Sequence, residues 1–271
     1  MRSSPRVVPA LILTLAALLA VGCASSGRGE DDAPEAATTS KRDARTEHDP
    51  LHSLSLMRQG ANFMQQGDYE KALDAFHRAD RSAPGNATVH NMMGLCHLRM
   101  EQLDQALASF SRALELVPSF TDARNNRGAA YLALGQYHLA EVDFTAVLSD
   151  TAYQHRWEVF YNLGMTYLRR GQMEAAEENF NRAVTAPAPV FEAFLRLAEI
   201  EQQQGNLSIA VDLLEEARIK FPARVEASLH LGRLLTQLDR GDEAERYLRE
   251  VITAAPSSTW AEEASELLED S

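Results

Sequence analysis

His90, Cys96 and His97 are the residues whose types and spacing come nearest to a chemical site. Imidazole nitrogens and thiolate sulfur are preferred zinc ligands, so the cluster suggests a metal site. Such a site takes four ligands, or three with an open position, and no carboxylate partner is in view for the two histidines. The histidines are seven residues apart and share one helix face, where large core side chains are expected. We therefore predict that all three side chains pack in the interior and that the chain has no metal site.

Sequence motifs of catalysis are missing. Neither a Gly-rich phosphate loop nor a Gly-x-Ser-x-Gly elbow occurs in the 271 residues. The formal net charge of −13 opposes nucleic-acid binding, because phosphates are bound by clustered Lys and Arg. Two cysteines are too few for a disulfide framework. These observations predict a protein that is not an enzyme, carries no cofactor, and binds neither nucleic acid nor a small-molecule substrate.

The N-terminal sequence indicates a chemical role for Cys23. Arg2 and Arg6 precede an apolar run over residues 7–21, which is typical of a secretory signal peptide and is shorter than the ~20 residues of a membrane-spanning helix. Small residues lead directly into the cysteine, in the order Ala20, Val21 and Gly22. This pattern resembles the lipobox of bacterial lipoproteins, and the resemblance implies removal of residues 1–22 and acylation of the Cys23 thiol. The alternative is a plain signal peptide followed by an incidental cysteine.

The sequence after the cysteine has the composition of a tether. Residues 24–50 hold almost no large apolar side chain, so this stretch cannot bury enough surface to offset its ordering entropy. We predict that residues 23–52 comprise the lipidated Cys23 and a flexible tether. In the lipoprotein family an Asp after the cysteine often signals retention in the inner membrane, so Ala24 implies the outer membrane.

The remaining sequence repeats with a period of about 34 residues. A small residue marks each unit, at Gly60, Gly94, Gly128, Gly164, Ala198 and Gly232. An alanine follows twelve residues later and a large apolar residue four after that, at Phe76, Phe110, Phe144, Phe180, Leu214 and Leu248. Proline closes most units, as at Pro84 and Pro118. This skeleton resembles the tetratricopeptide repeat, in which each unit is a pair of antiparallel helices.

The resemblance implies an all-α fold, a right-handed superhelical solenoid of six helix pairs followed by a capping helix. The six repeats are predicted over residues 53–257 and the capping helix over residues 258–271. Glu262, Glu263, Glu266 and Glu269 suit the solvated outer face that a terminal cap presents. Two units depart from the pattern. A longer joint precedes the fourth repeat, and the fifth repeat has Glu201 where the family has tyrosine.

In this fold the first helix of each pair lines an inner groove, with positions five, nine and twelve of each unit pointing inward. In the first four repeats these are Met57, Ala61, Met64, Asn91, Leu95, Leu98, Asn125, Ala129, Leu132, Tyr161, Met165 and Leu168. In the last two repeats they are Leu195, Glu199, Gln202, Leu229, Arg233 and Thr236, which are more polar. An apolar, methionine-containing groove suits adaptable contact with an apolar peptide. The alternative is that some of these side chains are buried between helices.

A lipobox, six repeats and a longer joint between the third and fourth repeats together resemble the PilW/PilF/Tgl family of type IV pilus biogenesis lipoproteins. The residues of this joint that resemble the family lie within 150–164 and include Tyr153 and Arg156. The resemblance implies a pilotin, an outer-membrane lipoprotein that faces the periplasm. Such a protein binds the secretin subunit and promotes its outer-membrane localisation and multimerisation. The family's interaction surface lies in the early repeats, which agrees with the predicted apolar groove.

Two other functions stay open from the sequence. One is a general periplasmic adaptor that scaffolds envelope or peptidoglycan enzymes with the same groove. The other is an enzyme whose repeats regulate or scaffold it, which the missing catalytic motifs disfavour.

Overall fold

The structure, a computed structural model, describes residues 49–269 and contains thirteen α-helices and no strand in that range. The helices are α1 (Pro50–Gln65), α2 (Tyr69–Ser82), α3 (Ala87–Arg99), α4 (Leu103–Leu116), α5 (Thr121–Ala133), α6 (Tyr137–Ser149), α7 (Arg156–Arg169), α8 (Met173–Val184), α9 (Phe191–Gln203), α10 (Leu207–Lys220), α11 (Glu226–Gln237), α12 (Gly241–Ala254) and α13 (Thr259–Glu269). The predicted signal peptide, Cys23 and the predicted tether up to residue 48 lie outside the described residues. Within the described range no helix is long and apolar enough to cross a membrane.

The described chain divides into two compact units, residues 49–135 and residues 136–269. The first unit contains the pairs α1–α2 and α3–α4, with α5 packed on α4. The second contains α6, the pairs α7–α8, α9–α10 and α11–α12, and α13 packed on α12. This confirms the predicted all-α fold of repeated helix pairs. Of the predicted third pair, the first helix, α5, belongs to the first unit and the second helix, α6, to the second unit.

Close contact at the small repeat residue holds the two helices of a pair together. A Cβ added to Gly94 would lie 2.5 Å from a ring carbon of Phe110, and one added to Gly164 would lie 2.6 Å from the ring of Phe180. Both phenylalanine side chains are fully buried. The repeated glycine is therefore required because the aromatic ring of the second helix packs directly against the backbone of the first.

The turn between the helices of a pair needs a left-handed backbone. Gly67, Gly171 and Gly205 have φ between 72° and 83° at this position. Glu101 and Asp239 occupy the equivalent position in two other repeats, with φ of 60° and 56°. Glycine adopts this conformation without a steric penalty, whereas the Cβ of the two acidic residues makes it costly.

The longer joint is closed by an arginine within the second unit. Nη1 of Arg156 donates to the carbonyl oxygens of Leu148 at 2.8 Å and Asp150 at 3.0 Å. Tyr153 is buried, and its ring lies edge-on to His155 with centroids 6.0 Å apart. The residues that lengthen the link therefore form a packed, hydrogen-bonded corner between α6 and α7.

Helix α13 presents acidic side chains where a further helix would pack. Ala261 and Ala264 are buried, whereas Glu262, Glu266 and Glu269 are exposed. Glu263 departs from the expected solvated face, because it accepts a hydrogen bond from Arg233 of α11. A polar outer face of this kind is what a capping helix presents, and the capping role of α13 stays a prediction.

Candidate partner-binding surface

The twelve predicted groove residues are distributed over both units and are mostly buried. Nine belong to the first unit and three, Tyr161, Met165 and Leu168, to the second. Only Ala61, Met64 and Leu168 keep part of their surface accessible, and Met57, Asn91, Leu95, Leu98, Asn125, Ala129, Leu132, Tyr161 and Met165 are buried. The open apolar strip is therefore much smaller than the sequence predicts. Contact of these residues with a partner stays a prediction.

Packing between neighbouring helices explains this burial. In the first unit α3 contacts both α1 and α5, so inward-facing side chains of one first helix are covered by the next. Leu95 and Leu98 join a core cluster with Phe110 and Ala130. Side chains in such a cluster contribute to stability through burial and cannot also serve as free contact surface.

The two most exposed large apolar side chains of the first unit lie on its first helix, and the third, Val117 at 41%, follows α4. Leu51 is 81% exposed and Leu54 is 48% exposed, one turn apart on α1. Met64 and Met92 are partly buried and bridge the two core clusters of this unit. Leu51, Leu54 and Met92 were missed by the groove prediction. Leu51 precedes the first predicted repeat, and Leu54 and Met92 do not occupy positions five, nine or twelve of their units, so the groove prediction did not include them.

Buried asparagine amides connect α3 and α5 in the first unit. Nδ2 of Asn126 on α5 donates to Oδ1 of Asn91 on α3 at 3.0 Å, and both residues are buried. Among residues 49–269 neither amide atom of Asn125 has a hydrogen-bond partner, and the same is true of Oδ1 of Asn126. The Asn91–Asn126 bond fixes how α3 and α5 align, because breaking it would leave a buried polar group unpaired.

The first helices of the second unit carry ion pairs instead of an apolar strip. Nη1 of Arg196 lies 2.7 Å from Oε2 of Glu199 on α9. Arg224 lies 3.1 Å from Glu192 and 2.9 Å from Glu226, which connects α9 to the start of α11. These side chains are partly exposed, so each pair contributes little to stability, ~0–1 kcal/mol. This part of the chain offers paired charges, and Leu168 of α7 is the one of the twelve predicted groove residues there that stays partly accessible.

Two side chains on the first helices of the second unit, His230 on α11 and Tyr161 on α7, have shifted pKa values. Burial lowers the pKa of His230, and the positive charge of Arg233 lowers it further. Burial raises the pKa of the Tyr161 hydroxyl, so this group stays protonated at neutral pH. His230 is therefore kept neutral at neutral pH, although it lies among charged side chains.

Of the histidine and cysteine cluster, Cys96 packs in the interior of the first unit as predicted, whereas His90 and His97 stay partly accessible. Cys96 is fully buried, and burial raises the pKa of its thiol to about 12. His97 Nδ1 lies 2.7 Å from Oε1 of Gln102. His90 Nε2 lies 3.3 Å from Oδ1 of Asp80, a carboxylate beside the cluster that the sequence reasoning missed. Among residues 49–269 no group of three or more His, Cys, Asp and Glu side chains is arranged to hold a metal ion.

Models of three tetratricopeptide repeat families match the chain. One matches residues 30–87 and 195–259, the second residues 63–125 and the third residues 158–188. Together these matches cover well over half of the sequence. No curated protein sequence matches the chain.

Several solved structures share the fold over most of the chain. The crystal structure of PilW, described as a widely conserved type IV pilus biogenesis factor, has a TM-score of 0.70 at 21% identity and covers 80% of this chain and 99% of its own. PilF of Pseudomonas aeruginosa has a TM-score of 0.67 at 20% identity and covers 81% of this chain and 98% of its own. A tetratricopeptide repeat protein of Parabacteroides merdae has a TM-score of 0.59 at 21% identity and covers 75% and 80%. The repeated helix pairs, the family matches and the shared fold agree, and the chain belongs to the tetratricopeptide repeat family.

Proposed function

We propose that this chain is a lipid-anchored outer-membrane pilotin of type IV pilus biogenesis, facing the periplasm. In this role it binds the secretin subunit and promotes the localisation and multimerisation of the secretin in the outer membrane. The observation that carries the proposal is the likeness to PilW, a type IV pilus biogenesis factor, which extends over 99% of the PilW chain. A likeness over nearly a whole chain supports the role more strongly than a shared pair of repeats would.

The N-terminal sequence supports the anchor. Residues 1–23 have the order of a lipoprotein signal, and several acyl chains on one cysteine would anchor the protein durably, whereas one chain anchors only marginally. The low content of large apolar side chains in residues 24–48 suits a tether between the membrane and the repeats. We infer that tethering raises the effective concentration of the repeats near newly arriving secretin subunits.

The accessible apolar residues of α1 are the contact surface we favour for the secretin. Leu51 and Leu54 stand exposed at the beginning of the first unit, and Met64 is partly accessible on the same helix. Leucine and methionine side chains adapt well to an apolar segment of a partner. The proposed activity is binding alone, and no group in this surface is assigned a catalytic role.

The anchor is tested by Cys23→Ala in cells. We expect the secretin multimer in the outer membrane to fall severalfold, because the repeats would no longer be held at the membrane. Immunoblotting of outer-membrane fractions measures this. A full level of multimer, with the altered protein present in the periplasm, would reject the anchored mechanism.

The contact surface is tested separately by Leu54→Glu in the anchored protein. Leu54 is half exposed, so the substitution should leave the fold intact while placing a charge in the contact. We expect secretin co-purification to fall at least tenfold, about 1.4 kcal/mol. Ile219→Glu, at an exposed apolar residue of α10, is the matched control and should bind normally. Leu98 and Met165 are unsuitable for this test, because both are buried and a glutamate there would disrupt the core.

The alternative is a general periplasmic adaptor for envelope or peptidoglycan enzymes, which the repeats alone would also permit. Purification from detergent-solubilised outer membranes separates the two. Recovery of a peptidoglycan hydrolase or another envelope enzyme as the main partner, without secretin, would favour the adaptor.

A further inference from the structure

The outer face of α6 differs from that of the other second helices. Leu139 is 44% exposed and Val142 is 52% exposed on this face, and Thr145 and Ser149 are exposed beside them. Among the second helices within residues 69–254, α6 is the one whose exposed residues include no Asp, Glu, Lys or Arg. On a chain with a formal net charge of −13, an uncharged helix face is a distinct surface feature.

The two acidic residues of α6 are turned away from this face or neutralised. Oε1 of Glu141 accepts a hydrogen bond from the Tyr167 hydroxyl at 2.9 Å, and Oε2 of the same carboxylate pairs with Arg170. Asp143 is only 2% exposed. Neither carboxylate of α6 is therefore an exposed, unpaired charge on this stripe.

The spacing along α6 fits pairing with another helix. Leu139, Val142, Ala146 and Ser149 follow one another at intervals of three, four and three residues, which is the a and d spacing of a helix seam. The stripe is also self-complementary. In an antiparallel pair centred on residue 144, Leu139 faces Ser149 of the other copy and Val142 faces Ala146, so that each large side chain meets a small one. A parallel pair would instead set large against large and small against small.

We propose that α6 is a homodimerisation surface, on which α6 of a second copy packs antiparallel with its centre at residue 144. A contact with two large apolar side chains from each copy is well below the ~1,000 Å² typical of stable interfaces, so the dimer is weak in solution. Two copies anchored in one membrane would pair more readily, because anchoring raises their effective concentration. This last point alone rests on the proposed lipid anchor.

Disulfide cross-linking tests both the contact and its register. The background is the full chain with Cys23→Ala, whose remaining thiol, on Cys96, is buried and unreactive. Val142→Cys protein is mixed with Ala146→Cys protein at high concentration with a mild oxidant. We expect the mixture to form covalent dimer severalfold faster than either variant alone, because residue 142 faces residue 146 in the other copy. Two copies of the same residue lie about one helical turn apart, beyond disulfide reach.

The controls make each outcome decisive. Ile209→Cys, on an exposed position of α10, reports random collision and should cross-link slowly. If the mixture reacts no faster than the single variants, or no faster than Ile209→Cys, the proposal is wrong. Leu139→Glu in the unlinked chain should abolish concentration-dependent sedimentation of the dimer, and an unchanged dimer would equally overturn the proposal. These measurements use purified protein without membrane or secretin, so their failure is separate from failure of the proposed function.

Discussion

At the scale of the residue, the fold depends on glycines that allow an aromatic ring to contact a helix backbone. Gly94 against Phe110 shows the requirement, since an added methyl group would lie 2.5 Å from a ring carbon. The ring is fully buried and cannot swing aside without disturbing its neighbours. The same spacing of glycine and phenylalanine is legible in the sequence, which is why the repeat could be predicted from it.

We predict that Gly94→Ala destabilises the protein. Overpacking costs ~1–3 kcal/mol and exceeds the ~1 kcal/mol that alanine gains over glycine in a helix. Urea unfolding should show a free energy of unfolding lower by about 1 kcal/mol. Gly241→Ala is the control, because nothing lies within 4 Å of the added methyl group and its stability should not fall. A Gly94→Ala protein as stable as the parent would contradict the packing account.

A second residue-scale prediction concerns the left-handed turns. Glu101 has a φ of 60° where other repeats have glycine, so Glu101→Gly should raise the free energy of unfolding by up to about 1 kcal/mol. Gly67→Ala is the reciprocal change, at a φ of 77° with nothing within 4 Å. It should lower the free energy by a similar amount through the backbone alone. Denaturant titration of both variants checks the pair, and a loss of stability in Glu101→Gly would refute the assignment of strain.

At the scale of the element, α11 of the second unit holds His230, a neutral histidine among charged side chains. The pKa of His230 in the folded protein is lowered by burial and then by Arg233. As the pH falls, this histidine therefore takes up a proton in the unfolded chain before it does so in the folded protein. Stability should therefore be retained above the unfolded pKa of ~6.5 and decline as the pH drops below it.

Replacing the histidine tests this pH dependence. We expect His230→Gln to lose less stability than the parent between pH 7.5 and pH 5, measured as the shift in Tm. His77, whose pKa is also lowered mainly by burial, should supply part of the slope that remains. Identical pH slopes in the two proteins would show that His230 does not titrate differently in the folded and unfolded states.

The helix pairs were predictable from sequence because their determinants are local and periodic. The 34-residue spacing of small residues placed each pair, and in the structure Gly67, Gly171 and Gly205 form the left-handed turns within pairs. The contact surface was less predictable. Leu95 and Leu98 point inward as expected, yet the neighbouring helix covers them, and periodicity does not report such tertiary burial. Leu54 is not at one of the repeat positions from which the groove was predicted, so its exposure became visible only in the structure.

The polar contacts of the site also could not be predicted from the periodic spacing of residues in the sequence. Asp80 and His90 lie on different helices, and their approach to 3.3 Å follows from how α2 and α3 pack. Asn91 and Asn126 are 35 residues apart, and their hydrogen bond depends on the alignment of α3 with α5. Pairings of this kind are set by tertiary structure and leave no signature in the spacing of either residue type.

At the scale of the whole molecule, the chain is a strongly acidic repeat protein with a lipoprotein-like N-terminal sequence. Its formal net charge is −13, and among residues 49–269 exposed large apolar side chains are few. Such a surface disfavours unspecific association and leaves a small number of places for selective contact. The proposed secretin contact on α1 and the proposed homodimer contact on α6 use different places of this kind.

The most direct test of the proposed function is affinity purification of the anchored protein from detergent-solubilised outer membranes, followed by identification of the main co-purifying protein. We predict that this protein is the secretin of the type IV pilus and that Leu54→Glu removes it while Ile219→Glu does not. A secretin absent from the purified material, with a different envelope protein in its place, would contradict the assignment as a pilotin.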